Sequence, residues 1–184
     1  MCQNYQQLSY NHWRCPKWNR FWSLKLPPKI RMFLWRLSHN SLPLRMNIKR
    51  KHVELDTRSP MCFRLDEDGG HLFLKCKQVK QVWRELQLED VRMALIQCAN
   101  PSEMFDHLWS LKLERRDLPL ILMWEWWNVR NKANAGEKIK SAGKLVTSSG
   151  SSMMTFALQM RGLEHSHCLP RLKPGVSHVR ALSK

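Results

Sequence analysis

The sequence predicts an α-rich small domain followed by a disordered basic tail. Apolar residues recur at helical steps of three and four in two segments, one after Pro28 and one after His71. The composition changes after residue 131, where Gly, Ser, Ala and Lys predominate. Because such a segment cannot bury enough apolar surface to offset its conformational entropy, we expect it to remain disordered.

The first predicted helix begins at Pro28, since proline suits the first turn of a helix. Its buried face follows the pattern i, i+3, i+4, i+7 at Ile30, Phe33, Leu34 and Leu37. Residues 40–43 indicate a break, after which a short basic helix is expected from Leu44 to Lys51. Residues 59–70 are typical of a loop.

Three more helices are predicted beyond this loop. One has a buried face formed by Leu72, Cys76, Val79, Trp83 and Leu86. The next begins at Pro101 with Ser102 as its cap, and the last begins at Pro119 and runs toward Asn131. The predicted core consists of Phe33, Leu34, Leu37, Leu72, Val79 and Trp83.

These features divide the chain into four predicted segments. Residues 1–20 form a polar N-terminal segment, and residues 21–90 form the main domain. Residues 91–133 form a helical connector, and residues 134–184 form the mostly disordered basic tail.

The positive charge of the chain is unevenly distributed. The net charge is +16, and residues 1–58 carry twelve basic and two acidic side chains, whereas residues 59–131 are nearly balanced. A regional excess of this size indicates a polyanionic partner, RNA or DNA. The predicted phosphate contacts are Lys25, Lys29, Arg31, Arg36, Arg45, Lys49, Arg50 and Lys51.

Two features of this basic region have alternative explanations. Trp22 or Trp35 would stack on bases, but the helical spacing of Trp35 and Trp83 favours a place in the core for the tryptophans. The basic run 49–51 is also typical of a solvated helix end or a weak nuclear-localisation patch.

The sequence predicts no targeting or membrane-spanning segment. The N-terminus is polar, and the longest apolar run, residues 118–124, is far shorter than the ~20 residues that a membrane helix needs. We therefore expect an intracellular protein, cytoplasmic or nuclear, without a membrane partner. In such a reducing compartment the six cysteines would be free thiols or metal ligands.

Three residues have the spacing of a zinc knuckle. Cys62 is followed by His71 after eight intervening residues and by Cys76 after four more. Zinc is borderline-soft and prefers thiolate and imidazole ligands. Ser59 stands where the first cysteine of a complete C-x2-C…H-x4-C pattern would be, and its hydroxyl is a poor ligand because it stays protonated and hard. Alternatively, the two cysteines are small core residues and His71 merely opens a helix.

A longer stretch points to a family. The segment 22–36, WSLKLPPKIRMFLWR, resembles the opening of the reverse-transcriptase zinc-binding domain of plant LINE-type non-LTR retroelements. Leu42, Pro43, Arg45, Asn47 and Arg50 continue the pattern, as does the block from Cys62 to Trp83. The resemblance covers residues 20–86, and residues 124–132 are similar to the connector helix that follows this domain in such elements.

The resemblance implies a zinc-binding-like domain over residues 21–90, with ligands at Cys62, His71 and Cys76. It aligns Ser59 with the first of four family ligands, so that three of the four are present. If zinc binds tightly, His52 or Asp66 is the candidate for the missing ligand.

We expect no catalytic activity. Neither Tyr5 nor Tyr10 is followed by the paired aspartates of a polymerase site, and the acids after Asn131, Glu137 and Glu164, are too few for a two-metal RNase H site. The predicted function is a non-catalytic, retroelement-derived zinc-binding-like module that contacts nucleic acid through its basic N-terminal third.

Two alternative functions remain open. One is a protein-interaction or structural piece of a retroelement polyprotein, with reverse transcriptase or another part of the polyprotein as its partner. The tryptophan-rich segment 124–127 favours it, since clustered aromatic residues suggest a partner surface. The other is a degraded copy with no selected function.

Overall fold

The computed structural model describes residues 16–137, with the side chains of residues 19–137 apart from Glu114. Within these residues the chain forms helices and loops without a β-strand, so the predicted α-rich fold is confirmed. Most of the polar segment 1–20 and most of the predicted disordered tail 134–184 lie outside the described residues. No helix between residues 16 and 137 is both long and apolar enough to cross a lipid bilayer.

The helices follow one another with short connections, apart from the loop 50–68. Their bounds are α1 Pro16–Trp22, α2 Pro28–Ser38, α3 Arg45–Lys49, a π-helical turn His71–Lys75 (the π turn), α4 Lys77–Glu85, α5 Glu89–Gln97, α6 Pro101–Ser110 and α7 Leu113–Asn134.

Two of these helices, α1 and α5, are missing from the sequence prediction. Helix α1 is short, and among residues 19–22 only Phe21 is fully buried, against the rings of Phe105 and Trp109. Helix α5 places Arg92 in its buried face, where the side chain is 3% exposed. Neither helix has a clear apolar period in its sequence, because α1 has one buried apolar residue in this stretch and α5 has an arginine in its buried face.

The single helix predicted over residues 72–86 is in fact two segments. The chain leaves helical geometry at Cys76, whose ψ of 137° is extended, and α4 then begins at Lys77. The prediction was wrong at this point because residues on both sides of the break are buried, which preserves the apolar spacing.

The cap of α6 also differs from the prediction. Asn100 is the N-cap residue, and its side-chain oxygen accepts a hydrogen bond of 3.0 Å from the N–H of Glu103. The Glu103 carboxylate in turn accepts a hydrogen bond of 2.9 Å from the N–H of Ala99. Pro101 occupies the first helical turn, so Ser102 lies inside the helix rather than at its cap.

Helix α7 begins at Leu113, six residues before the predicted start at Pro119. A proline in a helix interior removes one backbone hydrogen bond and costs about 3 kcal/mol. Here the helix continues because residues 120–123 are all buried directly after the proline. Burial of four such side chains outweighs the local cost, at about 1.5–3 kcal/mol each.

The core lies between α2 and the helices that pack on it. Helix α2 contacts α1, α6 and α7, while the π turn packs against α4 and α5. The Phe33 ring lies at the centre, 5.4 Å from the Trp124 ring and 6.1 Å from that of Trp127. All six predicted core residues are buried.

The tryptophans of α7 do not form the exposed partner surface that their clustering suggested. Trp126 is 3% exposed and Trp127 is 8% exposed, and both belong to the core of this chain. That interpretation was wrong for these two side chains because both are buried within the chain, with the Trp127 ring stacked on that of Phe33 in α2.

Candidate metal centre

The loop that carries Cys62 is closed by backbone hydrogen bonds. The N–H of Ser59 donates to the carbonyl of Leu65, and the N–H of Phe63 donates to the carbonyl of Ser59, both at 2.8 Å. The N–H of Met61 donates to the Ser59 hydroxyl at 3.2 Å. These contacts hold residues 59–65 in a compact turn with Cys62 near its tip.

The π turn places the other two candidate ligands. The N–H of Cys76 donates to the carbonyl of His71 at 2.9 Å, which is the five-residue bond of a π-helix. In an α-helix, residues five apart are separated by roughly 140° around the axis. The wider π turn reduces this angle, so that His71 and Cys76 face the same side.

The three side chains converge in the structure. The ligand atoms of Cys62, His71 and Cys76 all lie within 4.8 Å of one another, and Cys62 Sγ is 3.3 Å from His71 Nε2. A tetrahedral zinc ion would hold a sulfur and a nitrogen about 3.5 Å apart, at its usual bond lengths of ~2.3 and ~2.0 Å. The donor types and the spacing therefore fit zinc.

The surroundings of Cys62 favour its thiolate. Burial alone would raise the pKa of the Cys62 thiol, but the N–H groups of Leu65 and Arg64 stabilise the thiolate. The side chains of Cys76 and Ser59 act in the same direction, and the pKa of Cys62 lies below its ordinary value. A thiolate is the form that binds a metal.

Burial shifts the pKa values of the other two candidate ligands in opposite directions. It lowers the pKa of His71 despite the nearby carboxylates of Asp68 and Glu67, and so keeps the imidazole neutral and able to bind a metal. Burial raises the pKa of the Cys76 thiol, which is 1% exposed. A metal must displace that proton, so binding will depend on pH.

Ser59 occupies the position of the missing ligand, the first cysteine of the four-ligand pattern. The residue is fully buried, and its hydroxyl supports the Cys62 thiolate rather than reaching solvent. Of the described His, Cys and acidic residues, only the trio above forms a converging group. His52 and Asp66 are both exposed and lie outside that group, so their proposed role as a fourth ligand is not supported by the structure.

A buried ion pair links the loop 50–68 to α7. The sequence analysis did not predict it. Arg130 donates to both carboxylate oxygens of Glu67, at 2.7 and 2.5 Å. The Glu67 carboxylate also accepts the N–H of Arg45 at 3.0 Å, at the first turn of α3. Both charged side chains are almost fully buried. Because Glu67 and Arg130 are 63 residues apart, no local pattern could indicate the pair.

Six of the eight predicted phosphate contacts are exposed. They are Lys25, Lys29, Arg36, Lys49, Arg50 and Lys51. The structure does not test their binding to phosphate, which stays a prediction.

The other two basic residues are engaged within the chain. Arg31 donates to the carbonyl of Trp22 at 2.8 Å and lies over its ring. Arg45 donates to the carbonyls of Asp56 and Arg58. Trp22 is half-buried, and the Arg31 guanidinium lies over its ring. That face of the ring is therefore not open for stacking on a base.

In this helical domain a loop and a π turn bring two thiols and one imidazole together, which is the arrangement of a candidate Cys/His metal-binding module. Residues 1–83 match the family described as zinc-binding in reverse transcriptase. The matched segment includes all three candidate ligands. The predicted family is confirmed, whereas the plant and LINE-type origin stays a prediction. The chain matches no curated protein and no solved structure.

Proposed function

We propose that this chain is a non-catalytic zinc-binding module of retroelement origin that contacts nucleic acid through exposed basic residues of its N-terminal third. The observation that carries the proposal is the convergence of Cys62, His71 and Cys76 within a segment of the reverse transcriptase zinc-binding family. The basic excess over residues 1–58 supports the choice of nucleic acid as the partner.

The three ligands would give zinc a structural role. Bound zinc supplies a covalent-like link between groups that are far apart in sequence. Here the zinc ion would join Cys62, in the turn 59–65, to His71 in the π turn and to Cys76 directly after it.

The end of α3 is the strongest candidate for phosphate contact. Lys49 and Lys51 are exposed and have no ion-pair partner among the described residues. Arg50, between them, is exposed, and among the described residues its guanidinium donates only to the side chain of Asn47, at 3.1 Å. Three adjacent cations without an ion-pair partner among the described residues attract a polyanion. Binding is favoured further because the polyanion releases its counterions.

A paired charge-removal experiment tests the nucleic-acid contact. Lys49→Ala with Lys51→Ala should weaken binding to a single-stranded oligonucleotide and reduce the slope of log K against log salt by about 1.4, at ~0.7 per phosphate contact. The matched control is Lys77→Ala with Lys112→Ala, which removes the same charge from exposed positions outside the N-terminal third. Fluorescence anisotropy at several salt concentrations measures both. Equal slopes for the two double variants, or no salt dependence in the wild type, would contradict the proposal.

A further inference from the structure

The compact turn 59–65, which carries Cys62, exposes an aromatic side chain at its tip. Phe63, directly after Cys62, is 70% exposed, the highest value among the exposed large apolar residues of the described chain. Leu65 is 59% exposed two residues later. Between them, Arg64 is exposed, and its guanidinium has no partner in the part of the chain that the structure describes.

The backbone holds Phe63 in an unfavourable conformation. Its φ is +56°, in the left-handed region that favours glycine and is unusual for a bulky residue. The hydrogen bond from its N–H to the Ser59 carbonyl fixes it there. Strained residues of this kind cluster at ligand-binding sites, where the surrounding structure maintains them. Nothing in the packing of residues 16–137 requires the Phe63 ring, since most of it is exposed there.

We propose that the Phe63 ring stacks on an unpaired base of a single-stranded nucleic acid, with Arg64 on the adjacent phosphate. The inference rests on the proposed function and adds a specific contact to it. An exposed aromatic ring beside a free guanidinium matches the two parts of a nucleotide, the base face and the phosphate. A protein partner would use the apolar surface but has no equal need for the cation, and the basic excess of residues 1–58, in the same domain, favours the polyanion.

The stacking contact can be removed without damaging the fold. Phe63→Gly relieves the left-handed backbone and deletes the ring, so the variant should fold and bind zinc at least as well as the wild type. Phe63→Leu keeps an apolar side chain and removes only the aromatic face. Leu65→Ala is the matched control, because it deletes a similarly exposed apolar group two residues away.

Three oligonucleotides of equal length distinguish stacking from charge: a single-stranded oligothymidylate, the same backbone with abasic sites, and a duplex. With the zinc-loaded full chain, Phe63→Gly and Phe63→Leu should each bind the oligothymidylate about 5- to 150-fold more weakly than the wild type. Their affinities for the abasic strand and the duplex should match the wild type, and Leu65→Ala should match it throughout.

Wild-type affinity of Phe63→Gly for the oligothymidylate would overturn the inference and leave the proposed function intact. An equal loss on the abasic strand, or a wild-type affinity of Phe63→Leu, would also overturn it, since neither depends on an aromatic face. Sedimentation in which only the wild type self-associates, with unchanged nucleic-acid binding by Phe63→Gly, would assign the tip to protein contact instead. If the wild type binds none of the three oligonucleotides, the proposed function fails and the inference fails with it.

Discussion

The buried pair between Glu67 and Arg130 should contribute strongly to stability, and Glu67→Gln tests this. The substitution keeps the size of the side chain and removes its charge. It leaves the Arg130 guanidinium, only 6% exposed, without a counterion. It also weakens the acceptor for the N–H of Arg45 at the start of α3.

The degree of burial sets the magnitude of this effect. An ion pair on the surface contributes about 0–1 kcal/mol, because water screens both charges. Removing one partner of a buried pair costs about 3–5 kcal/mol, because the remaining charge has lost its solvent and its partner. Glu67 is 0% exposed, so the buried case applies. A loss of this size is a large fraction of the ~5–15 kcal/mol that stabilises a typical domain.

Urea unfolding followed by tryptophan fluorescence measures the free energy of unfolding of each variant. The control is Asp90→Asn, which breaks a well-formed but exposed pair with Arg115 and should cost at most about 1 kcal/mol. Glu67→Gln combined with Arg130→Met should lose less than the sum of the two single changes, because no unpaired charge remains buried. A loss below about 1 kcal/mol for Glu67→Gln, equal to that of the control, would refute the reasoning.

Two further predictions concern local structure and pH. Asn100→Ala should lower the free energy of unfolding by about 1 kcal/mol through loss of the α6 cap, and Ser102→Ala should lower it less, as thermal unfolding of the two variants can show. Hydrogen bonds from Arg92 lower the pKa of Glu89 below 4.5, so its ionised form stabilises the protein above that pH and the contribution is lost as the pH falls through the lowered pKa. The stability difference between the metal-free wild type and Glu89→Gln should therefore shrink in acid below pH 4.5, and a difference that stays constant would contradict this assignment.

The parts of the fold that the sequence predicted are those with a simple apolar period. Helix α2 and the buried face of α4 follow helical spacing because each packs one face against the core. The start of α7 was misplaced because proline is a start signal in most helices, and here it is tolerated inside one. The cap of α6 was misplaced by two residues because Asn100 and Ser102 are both good caps, and only the backbone distinguishes them.

The candidate metal centre was partly predictable for a different reason. Zinc ligands are few and chemically distinctive, so the spacing of Cys62, His71 and Cys76 indicated the site before its geometry was known. The π turn that aligns His71 with Cys76 has no comparable signal in the sequence. The same holds for the engagement of Arg45 by two carbonyls, which only the tertiary structure brings together.

Zinc binding by the wild type and by Ser59→Cys is the measurement that tests the metal centre most directly. Ser59 is fully buried beside Cys62, so a cysteine there would supply a fourth soft ligand with almost no change in size. Metal analysis combined with competition by a chelator should show one zinc ion per chain in both proteins, held more tightly by Ser59→Cys, and none in Cys76→Ser. A wild type that takes up no zinc when zinc is in excess, or a Ser59→Cys variant that holds zinc no more tightly than the wild type, would contradict the account.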